Sequence, residues 1–472
     1  MKIIIAYAFL FFGLGINYIF NIMVARWLGP EDFGHYSYAL SVFSIFSLIA
    51  VMSLDEAAVR FIPQSTEKQI MGAAIQRLAI VFSIVLAIIY YAMGHIFLPS
   101  SSAPLNDIFV LCLPLLVMIV VGSAILQSHH LVGPRMALRY AVEPMTKMIF
   151  LVIFFKLAEQ QLLSLTLVSI PAYAFFLALL LTNMVACVCY RKYLLCVLPI
   201  AKNQFMHILH FVLPLIFYNV LNVISGRLDV LILGVMANAY MLGQYSAAFQ
   251  TAAMLAIVLQ GIETVYAPIF SESIGKSDFK QLHHDYQQSL RWTLLIASPV
   301  VLVFAIYPQL ALMPFGAAYR QAIPIFLILC VGQFFNLATG SANAILLAMG
   351  KTREVLINTL VYVVCAAFFI SMGAYADGIN GAAIGVVAAI AIPNLLRVWW
   401  VYKICAVHPF NAHYFKTLLA MLITLLVALS SKSMLGYAGL LLYPLLFLAC
   451  VFLLGMHQQD KNFISKVVLC RR

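Results

Sequence analysis

Long apolar runs, separated by short polar breaks, dominate the chain. Reading between charged or Pro/Gly-rich breaks gives fourteen runs, near 3–25, 34–54, 72–98, 108–128, 142–157, 162–189, 208–235, 241–267, 290–313, 322–348, 355–375, 380–402, 415–431 and 437–456. Most approach the roughly 20 apolar residues that one helical crossing of a bilayer needs. The short alternating segments of a membrane barrel are not seen. The pattern therefore predicts an all-α polytopic membrane protein with about fourteen transmembrane helices. The run at 142–157 is the weakest, because it carries Glu143 and Lys147. Ile3–Ala25 is too long for a signal-peptide core, and Val24-Ala25-Arg26-Trp27 is no small-residue cleavage site, so it reads as a retained first span.

Composition agrees with this. Of 472 residues, 64% are hydrophobic and 9% charged, against about 45–50% and about 25% in soluble domains. The formal charge of +11 reads as topology, not as nucleic-acid binding. With the N-terminus cytoplasmic, 22 of the 27 Lys and Arg residues fall in inner segments, Lys147 and Arg397 among them. Arg26, Lys156, Arg320 and Lys432 fall outside, and Arg227 lies within a span. That asymmetry places both termini in the cytoplasm. The polar stretch 271–289 is too short for a soluble catalytic domain, which needs about 100 residues. No phosphate-binding P-loop occurs. The nine cysteines include no C-x-x-C, and the histidine pairs lack a carboxylate cluster. No metal, no cofactor and no catalytic constellation is indicated, so the chain does not read as an enzyme.

An internal repeat organises the runs. Phe33-Gly34-His35-Tyr36-Ser37-Tyr38-Ala39 matches Leu242-Gly243-Gln244-Tyr245-Ser246-Ala247-Ala248 at an offset of 209, each copy opening an even-numbered span. Six spans separate the copies, so the halves share one orientation. The division expected is a six-helix lobe at 1–206, a second at 207–406, and two further helices with a cytoplasmic tail at 407–472. Carriers built this way bind between their repeats and alternate access.

Polar side chains inside spans are the candidate chemistry, because lipid does not tolerate them. Gly13, Asn17 and Asn21 form a stripe in the first span, and Asn219, Asn222, Gly226 and Asp229 form another in the seventh. Span ten adds Gln333 and Asn336, and span eight adds Glu263. Asparagine and glycine also glue helices together, so each residue alone has a structural reading, as does an Arg227–Asp229 ion pair. The paired stripes point to a shared polar cavity.

The run Ala25-Arg26-Trp27-Leu28-Gly29-Pro30-Glu31-Asp32-Phe33-Gly34-His35-Tyr36 resembles the hallmark of bacterial polysaccharide transporters, the Wzx-type oligosaccharide flippases. Their superfamily also holds the multidrug and toxin extrusion antiporters and the lipid II flippase. The resemblance continues in Arg227-Leu228-Asp229-Val230-Leu231-Ile232-Leu233-Gly234, Leu347-Ala348-Met349-Gly350-Lys351-Thr352-Arg353 and Gly378-Ile379-Asn380-Gly381-Ala382-Ala383. It implies two pseudo-symmetric six-helix lobes in a V around a central cavity. It also implies a flippase moving an undecaprenyl-diphosphate-linked oligosaccharide, the repeat unit of an O-antigen (lipopolysaccharide), capsule or exopolysaccharide, across the bacterial inner membrane. Arg26, Arg60 and Arg227 are carried over as lumen cations. Asp229 and Glu263 would couple proton or sodium entry, or pair with Arg227. The partners implied are the lipid-linked oligosaccharide, membrane lipid, and polysaccharide polymerase and chain-length machinery. A multidrug antiporter of the same superfamily and a membrane glycan polymerase are the alternatives.

Overall fold

The computed structural model describes residues 2–97, 103–162, 166–194 and 202–453, and among them every regular element is helical. The chain groups into two compact units, Met1–Ser246 and Ala247–Arg472.

In the first unit α1 runs Lys2–Val51 through a kink at Gly29, whose φ of +77° an L side chain resists. Pro30 follows, where a helix start needs no N–H. A straight helix of this length would reach about 75 Å, more than twice a hydrocarbon core of about 30 Å. The kink therefore joins the first and second spans with almost no loop. Met52 and Ser53, both left-handed, then break the chain before α2, Leu54–Phe61. Next come α3 (Lys68–Phe97), α4 (Ala103–Ser128), α5 (Val132–Ala137) and α6 (Glu143–Glu159). A π-helical turn, Leu138–Val142, joins α5 to α6. The remaining helices are α7 (Ile170–Leu194), α8 (Lys202–Ser225), α9 (Leu228–Met236) and α10 (Ala239–Ala253). The core of this unit is α4, which packs on α1, α2, α3 and α7. Its Phe109, Cys112, Leu113, Val117, Val121 and Ile125 are fully buried, the three-four spacing of one helical face.

The second unit holds α11 (Leu255–Gly275), α12 (Phe279–Ile306), α13 (Pro308–Leu312), α14 (Ile323–Thr339), α15 (Ala342–Ala348) and α16 (Thr352–Cys405). It ends with α17 (Ala412–Leu435) and α18 (Gly439–Leu453). α16 folds back on itself at Asp377 and Gly378. A Cβ at Gly381 would stand 2.1 Å from the Gly373 carbonyl, and one at Gly385 would stand 2.3 Å from that of Phe369. The G-x-x-x-G at 381–385 thus lets two antiparallel crossings touch backbone to backbone. The last two helices close over α12: Leu302, Ile306 and Tyr307 bury against Ala420, Ala428, Tyr443, Phe447 and Val451.

Ten helical stretches among the described residues are long and apolar enough to cross a membrane. Three of them, Ala8–Phe61, Thr352–Cys405 and Ala412–Leu453, have room for two crossings, and α6 adds the short, charged fifth one. The fourteen expected runs are therefore accounted for. Several runs expected to be continuous are interrupted, spans seven and ten among them. Span seven stops at Ser225 and restarts at Leu228, and span ten stops at Thr339 and restarts at Ala342. Both breaks fall at a glycine beside a polar residue, Gly226–Arg227 and Gly340–Ser341, where intrahelical hydrogen bonding is easiest to interrupt. The expected cytoplasmic tail, from 454 on, lies outside the described residues.

Candidate functional site

The break in span seven shapes the polar chemistry of the first unit. Arg227 is half-buried in a non-helical conformation (φ −132°, ψ −2°) at the head of α9. Its guanidinium lies within electrostatic reach of the Asp229 carboxylate and the Tyr36 hydroxyl. Asp229 is buried and accepts a hydrogen bond from the Tyr245 hydroxyl at 2.6 Å. The stripe expected from Asn219 through Asp229 is therefore not one helical face, because the helix ends between Asn222 and Asp229. Asn219 instead crosses to the start of α2, donating to Ser53 Oγ at 2.9 Å and Glu56 Oε1 at 3.1 Å. Arg60, on the next turn of α2, is exposed and lays its guanidinium over Phe211 at 4.4 Å and Phe61 at 5.7 Å. Asn222 is exposed on α8.

The stripe of the first span does face protein. Asn17 and Asn21 donate to the carbonyls of Gly13 and Asn17, one turn back, each at 3.0 Å. Gly13 lets α1 approach the π-helical turn so closely that a Cβ there would lie 2.6 Å from the Tyr140 carbonyl. Beyond that contact, Asn17 Oδ1 accepts from Lys147 Nζ at 2.5 Å. Lys147 also pairs with Glu143 at 3.5 Å, both side chains being under a fifth exposed. The ammonium sits over the rings of Phe20 at 4.6 Å and Phe175 at 5.5 Å. Tyr36 lies within electrostatic reach of Glu143 as well as of Arg227. One charged series thus runs through the unit from Lys147 and Glu143 to Tyr36, Arg227, Asp229 and Tyr245. Arg26 is exposed on α1 and takes part in none of these contacts among the described residues.

A second polar centre lies in the second unit. Arg397, eight residues before the end of α16, donates to Asn394 Oδ1 at 3.1 Å. The Asn358 amide, oriented to satisfy both neighbours, accepts from Arg397 Nε at 2.5 Å and donates to the Pro393 carbonyl at 3.0 Å. Asn394 in turn donates to Asn336 Oδ1 on α14 at 3.3 Å. Glu263 of α11 lies within electrostatic reach of Arg397 and of Tyr286. Gln333 is buried one turn before Asn336. The candidate Asn336 thus reaches Arg397 only through Asn394, and Glu263 only by electrostatic reach.

In sequence Lys147 and Arg397 read as inner-segment cations, and Asn358, Asn394 and the repeat positions Tyr36 and Tyr245 are not among the candidate site residues. Some signal was available: Asn394 and Arg397 are one turn apart in a run otherwise apolar, and Tyr36 and Tyr245 are equivalent positions of the repeat. Unpaired, such charges cost several kcal/mol each in a low-dielectric interior. Here each has an opposite charge or amide beside it. Chemically, the centres supply guanidinium and ammonium groups for phosphate oxygens, carboxylates that accept cations, and amides for hydroxyl-rich groups.

This geometry belongs to a helical membrane protein with broken spans and intramembrane charge. A family model described as Polysaccharide biosynthesis protein matches residues 2–274, and a MatE model matches residues 214–372. The chain belongs to the polysaccharide biosynthesis protein family, and its fold is that of the MOP transporter superfamily. Among solved structures it is similar to the lipid II flippase MurJ in an inward closed conformation, with TM-score 0.76 and 14% identity, covering 98% of this chain and 100% of that one. It is also similar to an inward-facing multidrug resistance transporter of the MATE family, with TM-score 0.69 and 16% identity, covering 83% and 94% of the two chains. A third similar structure is a MOP superfamily transporter from Pyrococcus furiosus, with TM-score 0.58, 14% identity, and coverage of 86% and 95%. No curated protein matches the chain by sequence.

Proposed function

We propose that this chain is a flippase for a lipid-linked oligosaccharide, carrying a polyprenyl-diphosphate glycan from the inner to the outer leaflet of a bacterial cytoplasmic membrane. The observation that carries the reading is the set of cations held inside the helical bundles, Lys147 and Arg227 in one unit and Arg397 in the other, each beside amide or hydroxyl side chains. A diphosphate needs cations at a desolvated site, and a sugar needs hydrogen-bonding partners in place of water. Arg26 and Arg60, both exposed, would extend the cationic lining, with Asn222, Gln333 and Asn336 as sugar contacts. Six-helix lobes at 1–206 and 207–406 would rock about the cargo, with both termini cytoplasmic, and hand it to a polymerase and chain-length machinery outside. Asp229 and Glu263 are the groups through which a proton or sodium ion would couple.

The MatE match supports a second reading, a multidrug or cation antiporter of the same superfamily. Deleting the gene separates the two. A flippase loses a surface glycan while its lipid-linked precursor accumulates at the inner leaflet, and drug sensitivity is unchanged. Drug sensitivity with intact surface glycan would replace the flippase reading by the antiporter.

A further inference from the structure

Within the first unit, α3, α4, the π-helical turn and α7 surround a cavity of about 80 Å³. None of its lining residues is charged, and its amide and hydroxyl groups come from Gln76, Ser123 and Asn183. Gln76 Nε2 donates to the Met118 carbonyl at 3.1 Å and ties α3 to α4. Asn183 Nδ2 donates to the carbonyls of Leu115 at 3.0 Å and Leu179 at 2.8 Å, which ties α7 to α4. Ser123 Oγ donates to the Val120 carbonyl at 2.8 Å. These donors are thus turned to the backbone, and the side-chain oxygens are left as acceptors. Gln76 is 7% exposed, and its Oε1 is buried with no hydrogen-bond partner among the described residues. Buried polar atoms are nearly always bonded, so this oxygen marks where a donor belongs.

We infer that this cavity is a binding site for a small neutral alcohol, its hydroxyl donating to Gln76 Oε1 and its hydrocarbon part lying against Met118 and Leu138. Charge excludes ions, because an ion taken from water into an uncharged wall is left uncompensated. Volume sets the size. An apolar cavity of about 150 Å³ admits benzene, and water takes about 30 Å³ of its liquid, so this space suits a molecule smaller than benzene or a few waters. A buried water needs two to four polar partners, and donors for its oxygen are scarce on this wall. One hydroxyl on a short apolar stem matches both the acceptors and the apolar remainder. The occupant would pack on Leu138, the first residue of the π-helical turn that leads into α6 with its Glu143–Lys147 pair. Binding there bears on the geometry of that centre without touching its charges.

The test uses the full chain in lipid nanodiscs, with ethanol as the donor probe and acetonitrile, of similar size, as a probe that only accepts. Cys187 lies half-buried on the cavity wall, and Cys189 is exposed two residues on. Alkylation of both by N-ethylmaleimide is followed by peptide mass spectrometry, so that Cys189 reports any general effect of solvent. Ethanol should slow Cys187 relative to Cys189, saturably, and acetonitrile should not. Ala186→Met fills the cavity from α7 and should abolish the protection. Gln76→Met keeps the bulk and removes the acceptor, so half-saturation should need about two- to tenfold more ethanol. Melting gives a second reading, because a ligand of the folded chain raises its midpoint. The midpoint in ethanol should exceed that in acetonitrile by more in wild type than in Ala186→Met. The same curves show that each variant is folded, and Ser123→Val replaces Ala186→Met if the latter is not. Equal protection by both probes, or undiminished protection in a folded, filled variant, overturns the inference. So does the absence of an ethanol effect on both readings, the result expected of a cavity that takes water alone. The flippase reading stands in each case, since no cargo contact is involved.

Discussion

Gly34 and Ala239 touch so closely that a Cβ on the glycine would stand 1.8 Å from the alanine carbonyl oxygen. The same contact occurs with the roles exchanged, since a Cβ on Gly243 would stand 1.8 Å from the carbonyl oxygen of Pro30. Gly34 and Gly243 are equivalent at the repeat offset, as are Pro30 and Ala239. The two contacts are thus equivalent, each glycine meeting the partner glycine's neighbour, as in a two-fold interface. The repeat is thus a packing device at the corner of α1 and the start of α10, where no side chain fits.

Substituting either glycine should therefore do comparable damage. Gly34→Val and Gly243→Val each force the corners apart, and overpacking of this kind typically costs about 1–3 kcal/mol. Thermal unfolding in detergent should register a lowered midpoint for both. A variant that melts with the wild type would mean the contact is dispensable.

Lys147 is the keystone of its group. Lys147→Met leaves Glu143 and Asn17 without their cation in a largely buried site, a change expected to cost about 3–5 kcal/mol. Adding Glu143→Gln should restore a good part of that loss, because the orphaned charge is removed as well. The stability of the single and double variants, arranged as a mutant cycle, measures it; additive losses would contradict the pairing.

Arg227 and Asp229 separate function from structure. Arg227→Ala should abolish glycan export while the protein stays in the membrane. Tyr245→Phe removes the 2.6 Å hydrogen bond and Asp229→Asn strips the charge from its acceptor, so each should destabilise by about 1–3 kcal/mol, with strong non-additivity between them. Export by a stably inserted Arg227→Ala protein at the wild-type level would take Arg227 out of the site.

Acid should weaken the turn after α4. His129 packs at a tilt against Tyr193, ring centroids 4.8 Å apart, and partial burial, then Lys68 and His130, hold its imidazole below its ordinary value, about 6.5. The folded chain then binds fewer protons than the unfolded chain, so stability falls as pH drops through about 6.5 toward the folded value. His129→Phe keeps a ring there and removes the titration. The midpoint difference between pH 7.5 and pH 5.5 should be smaller in that variant than in wild type; an unchanged difference would clear His129 of any part.

Much of the architecture is visible in the chain by itself. Apolar run length sets the crossings, because each must satisfy its own backbone in lipid. The Lys and Arg asymmetry and the repeat are likewise one-dimensional signals, as is the intramembrane position of Asn17, Arg227 and Glu263. The helix breaks at Gly226–Arg227 and Gly340–Ser341 lay within apolar runs that read as unbroken, since a run's hydropathy is the same whether or not its hydrogen bonds continue.

What only the tertiary structure decided is which charges are internal and what each one meets. Lys147 and Arg397 look in sequence like their neighbours Arg139 and Lys403, end-of-span cations destined for water. Lys147 is instead held by Asn17, 130 positions away, and Arg397 by the Asn358 amide of another crossing besides Asn394 on its own turn. Helical periodicity governs partners three or four residues apart. Partners across the bundle are chosen by packing, which brings distant positions together only when the chain has folded.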